Sequence, residues 1–156
     1  MKKIVALILL LTAISGCFTA LADDYKVFAF CNPKTPVNVR RTPKKGSPIT
    51  GRLDFGDSVT TDGEKKNGFL HVYGITEDGE GWIFAGNLIT DPPVKTERTW
   101  ASVAASGRVM TYRWIEGKKN GWINVGDDVK VIALSEDWAV TNKGYIRTKY
   151  LEVWQE

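Results

Sequence analysis

The sequence offers few side chains for nucleophilic catalysis, namely a single histidine, His71, and a cysteine in the same half of the chain, Cys31. Reactive cysteines need a partner base and a setting that stabilises the thiolate, such as the start of a helix. Cys31 instead ends an apolar run before an Asn-Pro pair, which is typical of a strand entering a turn. His71 alternates with Leu70 and Val72, which predicts a solvent-exposed ring. We therefore expect a small buried thiol and no catalytic residues.

Carboxylates recur directly after a glycine, at Asp57 and at the pair Asp127-Asp128. Paired carboxylates can serve general acid–base chemistry, but a carboxylate after glycine also accepts hydrogen bonds from backbone N–H groups in a tight turn. The repetition of the pattern favours the turn. The sequence has no Cys/His cluster at metal-ligand spacing and no Asp-rich calcium loop, so we expect no metal and no cofactor.

The chain contains an internal repeat. Three blocks recur in the same order, residues 37–41, 51–59 and 81–88 matching residues 109–113, 121–129 and 144–151. The central block needs no gap, and the offset between the copies falls from 72 to 63 along the chain. This pattern predicts two copies of one domain, the second with shorter loops.

Asp-Gly and Asn-Gly turn dipeptides separate short runs of alternating apolar residues, which indicates an all-β chain. Small antiparallel sheets hide their edges by curling, so we predict two β-barrels in tandem. Alternation places Leu53 and Phe55 inward in the first copy, and Ile123 and Val125 inward in the second. The other predicted core residues are Val37, Val39, Val59, Val72, Ile83 and Leu88 in the first copy, and Val109, Val129, Val131, Ile146 and Leu151 in the second.

The repeat also marks where the two copies differ. Three polar residues of the first copy align with aromatic residues of the second: Arg40 with Tyr112, Thr42 with Trp114 and Arg52 with Trp122. Exposed large rings indicate a covering partner. That partner is a ligand in a groove of the second barrel or the first barrel itself, or else the rings cover the open end of their own barrel. Together with Trp138, these aromatic residues are the candidate ligand-binding residues: Tyr112, Trp114, Trp122 and Trp138.

The N-terminus has the features of an export signal. Two lysines precede an apolar run that is shorter than the ~20 residues of a membrane-spanning helix. An A-x-A site predicts cleavage before Asp23, whereas the residues ending in Cys17 resemble a lipobox, which would make Cys17 a lipidated N-terminus. Either alternative predicts a secreted, periplasmic or cell-surface protein.

These signals divide the chain into a signal peptide at 1–22, a first barrel at 23–90, a proline-containing linker at 91–97 and a second barrel at 98–156. Because each copy supplies its own core, we expect residues 98–156 to fold alone. Removal of residues 1–22 leaves 19 Lys and Arg against 18 Asp and Glu, interspersed along the chain. This balance predicts no nucleic-acid partner, and no membrane contact unless Cys17 is lipidated.

The first copy resembles the bacterial SH3 (SH3b) family. The opening strand of that family reads approximately L-N-V-R-x-x-P, and residues 37–43 read VNVRRTP. The family closes with G-W-V/I and then Y-L or N-L, matched by GWI at 81–83 and NL at 87–88. The second copy keeps GYI at 144–146 and YL at 150–151 but has no proline after its opening strand. The resemblance therefore implies two tandem SH3-like β-barrels.

The resemblance also implies a function. SH3b domains are non-catalytic binding modules of the cell envelope that recognise peptidoglycan or proteins, and they often accompany cell-wall hydrolase domains. We expect a binding module for peptidoglycan, with an envelope protein–protein adaptor as the alternative. A cell-wall hydrolase, the alternative from another class, lacks a catalytic set in this sequence.

Overall fold

The computed structural model describes residues 24–75 and 79–155. In these ranges the chain forms fifteen β-strands and two single-turn 3₁₀ helices, arranged as two antiparallel sheets. The predicted signal peptide, with its cleavage site before Asp23 and the lipidation site at Cys17, lies outside the described residues. None of the described helices has the length and apolar character needed to span a bilayer.

The first barrel contains eight strands and one 3₁₀ helix at Ala85–Asn87. The strands are β1 (Tyr25–Ala29), β2 (Val37–Arg40), β3 (Ile49–Leu53), β4 (Ser58–Thr61), β5 (Lys65–Lys66), β6 (Phe69–Tyr73), β7 (Glu80–Phe84) and β8 (Leu88–Ile89). Their order in the sheet is β3-β2-β7-β6-β4-β1-β8, and β5 pairs with β6.

The second barrel contains seven strands and a 3₁₀ helix at Thr148–Tyr150. The strands are β9 (Val94–Val103), β10 (Val109–Tyr112), β11 (Lys119–Ile123), β12 (Asp128–Leu134), β13 (Trp138–Thr141), β14 (Gly144–Arg147) and β15 (Leu151–Gln155). Their order is β11-β10-β14-β13-β12-β9-β15, which repeats the order of the first barrel. The prediction of an all-β chain with two tandem SH3-like barrels is confirmed.

The two barrels share a local irregularity as well as their strand order. The pairing of the opening hairpin shifts register just before Arg40 in the first barrel and just before Tyr112 in the second. Beyond the shift, Arg40 lies opposite Trp82 and Tyr112 lies opposite Tyr145. A β-bulge of this kind redirects the strand and its side chains, so its presence in both copies supports the alignment of the repeat in three dimensions.

Each barrel has its own apolar core. The predicted inward residues of the first barrel are buried: Val37, Val39, Leu53, Val59, Val72, Ile83 and Leu88. In the second barrel Val109, Ile123, Val129, Val131 and Ile146 are buried and Leu151 packs against them. The prediction is wrong for Val125, which is 46% exposed, and Phe55 packs outside the first core. Strands β3 and β11 end at Leu53 and Ile123, so the period of two no longer applies to the next residues.

The glycine-flanked carboxylates close the turns that follow those strands. Asp57 accepts a hydrogen bond from the N–H of Asp54 at 2.8 Å, and Asp127 accepts one from the N–H of Asn124 at 3.1 Å. This confirms the turn prediction for these two residues. Asp128 instead opens β12 and accepts a hydrogen bond from the Ser102 hydroxyl at 2.6 Å.

The connection between the barrels is short. Strand β9 begins at Val94 and pairs at once with Leu134 of β12, so it includes part of the 91–97 segment expected to be a linker. The carboxylate of Asp91 accepts a hydrogen bond from the N–H of Glu136 in the second barrel, at 2.7 Å. The connection is therefore tied to the second barrel by backbone pairing and by a side chain.

A third apolar cluster joins the two barrels. Phe30 and Ile89 of the first barrel are buried with four residues of the second, which are Ala133, Trp138, Val140 and Tyr145. We call this set the interbarrel cluster. It fixes one barrel against the other and decides which faces of each remain open.

Candidate functional site

A groove of about 750 Å³ runs across one end of the second barrel. We call it the second-barrel groove. The elements that line it are the loop at 105–108, strand β10, Trp122 of β11, the loop at 136–137, Arg147 at the end of β14 and the helix residues Lys149 and Tyr150. Its volume lies in the range of ~300–1,000 Å³ that is typical of small-ligand sites.

Trp122 provides the main exposed ring of this groove. Its side chain is 58% exposed, and the Arg108 guanidinium lies 5.7 Å from the ring centroid. Lys149 lies similarly over Tyr150, at 5.1 Å. Flat rings flanked by cations can stack on a sugar or an amide while a cation binds a carboxylate. The groove is therefore suited to a polar ligand that carries both features.

Only some of the cations around the groove form ion pairs. Arg147 binds Glu116 at 3.0 Å and Asp137 at 3.7 Å, with its guanidinium 4.2 Å from the centroid of the Trp138 ring. Arg108 and Lys149, in contrast, form no ion pair with any described residue. These two cations are available to an anionic group of a ligand.

The first barrel has a groove at the equivalent position, with a volume of about 560 Å³. Its lining includes Arg40 and Lys45, three asparagines, and the rings of Phe69 and Phe84. Trp114 of the second barrel completes it, since that ring packs edge-on against Phe84 with centroids 5.5 Å apart. This first-barrel groove is thus formed by both barrels.

Trp114 is held in place by the backbone of the first barrel. A Cβ atom at Gly86 would lie 2.5 Å from the Trp114 ring, so only glycine allows this approach. The N–H of Ile115 also donates to the carbonyl oxygen of Gly86, at 3.1 Å. Trp114, one of the four candidate binding residues, therefore lies at the contact between the barrels.

The other candidate binding residues lie either at the contact between the barrels or in the second-barrel groove. Trp138 is buried in the interbarrel cluster, and Tyr112 is half-buried, packs edge-on against Trp138 and also lines the second-barrel groove. Tyr145 donates a buried hydrogen bond from its hydroxyl to the carbonyl oxygen of Phe30, at 3.2 Å, and burial raises its pKa. The structure thus brings Tyr112 and Trp122 together in one groove and directs Trp114 and Trp138 toward the first barrel.

Cys31 lies in the core of the first barrel. Its thiol donates to the carbonyl oxygen of Thr35 at 3.1 Å, and burial, with a contribution from Asp54, raises the pKa of the thiol to about 11. At neutral pH the sulfur is therefore protonated and a weak nucleophile. This agrees with the expected small buried residue.

We expect the Cys31 thiol to react slowly with iodoacetamide at pH 8, on the order of a hundredfold slower in the folded protein than in urea, because so little thiolate is present. The measurement uses a chain that begins at Asp23, in which Cys31 is the only cysteine. Equal rates of alkylation with and without urea would contradict the burial of this thiol.

The prediction that His71 is solvent-exposed is wrong, because its side chain is only 13% exposed. The side chain does point away from the buried Leu70 and Val72, but Tyr73 and Trp82 cover it with ring centroids 4.8 and 4.9 Å away. Trp82 and Glu80 come from the neighbouring strand β7, and Asp62 comes from the turn after β4, so local alternation around His71 does not reveal them.

Acidic side chains surround the imidazole. Its Nδ1 lies 3.1 Å from a carboxylate oxygen of Asp62, and its Nε2 lies 3.6 Å from one of Glu80. The Tyr73 hydroxyl donates to the same Asp62 oxygen at 2.6 Å, and this bond chiefly lowers the pKa of Asp62 to about 2. We call Asp62, Glu64, His71, Tyr73 and Glu80 the His71 cluster. Sequence reasoning missed it, although Asp62 and Glu64 already stand two residues apart at the start of the hairpin.

Comparison with known families gives a match within the first barrel. Residues 35–89 match the family model of the bacterial SH3 domain. The matched range begins just before β2 and ends with β8, and it contains the His71 cluster and the lining residues of the first-barrel groove other than Trp114. No curated protein matches the chain.

Two solved structures are similar to the chain. The structure of NlpC1 from Trichomonas vaginalis is 18% identical over 86% of this chain and 47% of its own, with a TM-score of 0.35. The structure of NlpC2 from the same organism is 19% identical over 84% of this chain and 48% of its own, also with a TM-score of 0.35. The chain thus spans about half the length of these proteins.

Proposed function

We propose that this protein is a secreted or surface-anchored, non-catalytic module of the bacterial cell envelope that binds peptidoglycan. The match of residues 35–89 to the bacterial SH3 domain supports a binding role at the envelope. The observation that carries the proposal is the second-barrel groove, where the exposed Trp122 stands beside Arg108. Peptidoglycan combines sugar rings with peptides that carry carboxylates, the two features this groove suits.

The absence of catalysis is part of the proposal. The buried Cys31 thiol, with its raised pKa, supports it, because a protonated sulfur is a poor nucleophile at neutral pH. The imidazole of His71 lies between two carboxylates: Nδ1 lies within hydrogen-bond distance of Asp62 at 3.1 Å, and Nε2 lies 3.6 Å from Glu80.

An envelope protein–protein adaptor is the second candidate. The first-barrel groove favours it, since the rings of Phe69, Phe84 and Trp114 give that groove a more apolar lining than the second-barrel groove. Such a surface suits a peptide segment of another protein.

Co-sedimentation with purified peptidoglycan tests the main proposal. We expect the wild-type chain to pellet with the polymer and Trp122→Ala to bind at least about tenfold more weakly, because an exposed aromatic anchor provides much of the affinity of such a site. The melting temperature of the variant should stay close to that of the wild type, since the Trp122 ring is largely exposed.

Trp154→Ala is the matched control. Trp154 is 42% exposed, lies on the edge strand β15 and is absent from the groove lining. Its loss should leave binding unchanged. Equal effects of the two substitutions, or no binding by the wild-type chain, would reject the groove as a peptidoglycan site and leave the adaptor function as the better explanation.

A further inference from the structure

The His71 cluster brings three metal-ligating groups together on the first barrel. One ligand atom from each of Asp62, Glu64 and His71 lies within 4.8 Å of the others. Zinc bonds to such atoms measure about 2.0–2.2 Å, so two ligands of a tetrahedral ion stand roughly 3.3–3.6 Å apart. Glu64 is exposed, so its side chain is free to move toward an ion bound by Asp62 and His71.

The backbone prepares this arrangement. The N–H of Glu64 donates to Asp62 Oδ1 at 2.9 Å, which fixes the turn that follows β4. The N–H of His71 donates to the carbonyl oxygen of Glu64 at 2.9 Å and brings the facing strand β6 into register. The three donors are thus placed by main-chain contacts that do not use the carboxylate of Glu64 or the imidazole.

The second nitrogen of the imidazole has its own acidic partner. A histidine that binds a metal through one nitrogen usually donates its other N–H to a carboxylate, which orients the ring and raises its basicity. In this structure Nδ1 lies 3.1 Å from a carboxylate oxygen of Asp62, and Nε2 lies 3.6 Å from one of Glu80. The rings of Tyr73 and Trp82 hold the imidazole in this orientation.

The second barrel shows that the fold does not require these polar groups. His71 pairs with Trp82 across β6 and β7, and Val140 pairs with Tyr145 at the equivalent position of the second barrel. Val140 is buried in the interbarrel cluster. A valine therefore satisfies this position in the same architecture, and the histidine with its acids is a property of the first barrel alone.

We propose that Asp62, Glu64 and His71 bind a divalent transition-metal ion, of which zinc is the representative, with Glu80 as the outer partner of the histidine. One imidazole nitrogen with two carboxylates is a donor set that suits zinc. Calcium takes six to eight oxygen ligands and magnesium prefers oxygen, so neither fits this set. Three protein ligands leave one position of a tetrahedral ion open to water or to a group from another molecule.

Isothermal titration of the full chain with zinc chloride tests the site. We expect one zinc ion to bind at this cluster in each chain. Glu64→Gln should weaken zinc binding by at least about tenfold while the protein stays folded. The Glu64 carboxylate has no hydrogen bond to any described side chain, so its loss removes a ligand without disturbing the hairpin. Glu80→Gln should weaken binding by about 10–100-fold through the histidine.

Glu152→Gln is the control, because Glu152 is an exposed acid on β15 of the second barrel and should not affect the titration. His71→Gln, checked for folding by circular dichroism, should abolish the site. Shifts of the His71 ring signals in the NMR spectrum on addition of zinc should report direct ligation. No zinc binding, or equal binding by wild type, Glu64→Gln and His71→Gln, would overturn the proposal.

Discussion

Replacement of Phe30 by alanine should lower the free energy of unfolding of the full chain by about 3–5 kcal/mol, the usual cost of deleting a buried phenylalanine ring. Phe30 is 0% exposed, yet it belongs to the interbarrel cluster and not to the core of its own barrel. Its ring contacts Phe55, at a centroid distance of 6.2 Å, and Tyr145 of the second barrel, at 6.0 Å. The loss measured in urea denaturation therefore combines the contact with Phe55 in the first barrel and the contact with Tyr145 in the second.

A double-mutant cycle with Tyr145→Ala isolates this coupling. The two residues share a ring contact and the hydrogen bond from the Tyr145 hydroxyl to the Phe30 carbonyl. We expect a coupling energy of about 1 kcal/mol or more, because contacting residues in one cluster are not additive. Additive losses would contradict a tight contact between the barrels in solution.

Much of the fold could be predicted from sequence because it is determined locally. Turn dipeptides and period-two alternation identify strands, and a repeat with conserved order identifies two copies even when loop lengths differ. The alignment of Arg40 with Tyr112 holds in the structure because both follow the same bulge and face an aromatic residue of the neighbouring strand. Alternation misled us at Val125, where the strand had already ended.

The candidate site could be predicted only in part, because its residues come from distant segments. The alignment of the two copies indicated that the large aromatic rings of the second copy pack against a partner, but it did not show which ring contacts which partner. Trp114 meets the first barrel because Gly86 leaves room for it, and nothing near Trp114 in sequence reveals that glycine. In the same way, His71 gains Glu80 and Trp82 as neighbours from the adjacent strand β7.

The second barrel produced alone, as residues 94–156, should be folded but less stable than in the full chain, by about 3 kcal/mol or more. Its own core is complete, which favours folding. Separation, however, exposes Trp138, Val140 and Tyr145, and burial of each large apolar side chain contributes about 1.5–3 kcal/mol. The segment starts at Val94 because β9 begins there. Urea denaturation and sedimentation should show a lower midpoint and self-association through the exposed rings.

Val140→Lys distinguishes packing within the second barrel from contact between the barrels, because it should destabilise the full chain much more than the isolated barrel. In the full chain Val140 is buried against the first barrel, so an unpaired ammonium there should destabilise the protein by several kcal/mol. In the isolated barrel the position is open, and the charge should suppress self-association with little change in stability. Equal destabilisation in both settings would place Val140 in the core of its own barrel. The first barrel, which has His71 at the equivalent position, already tolerates a polar residue there.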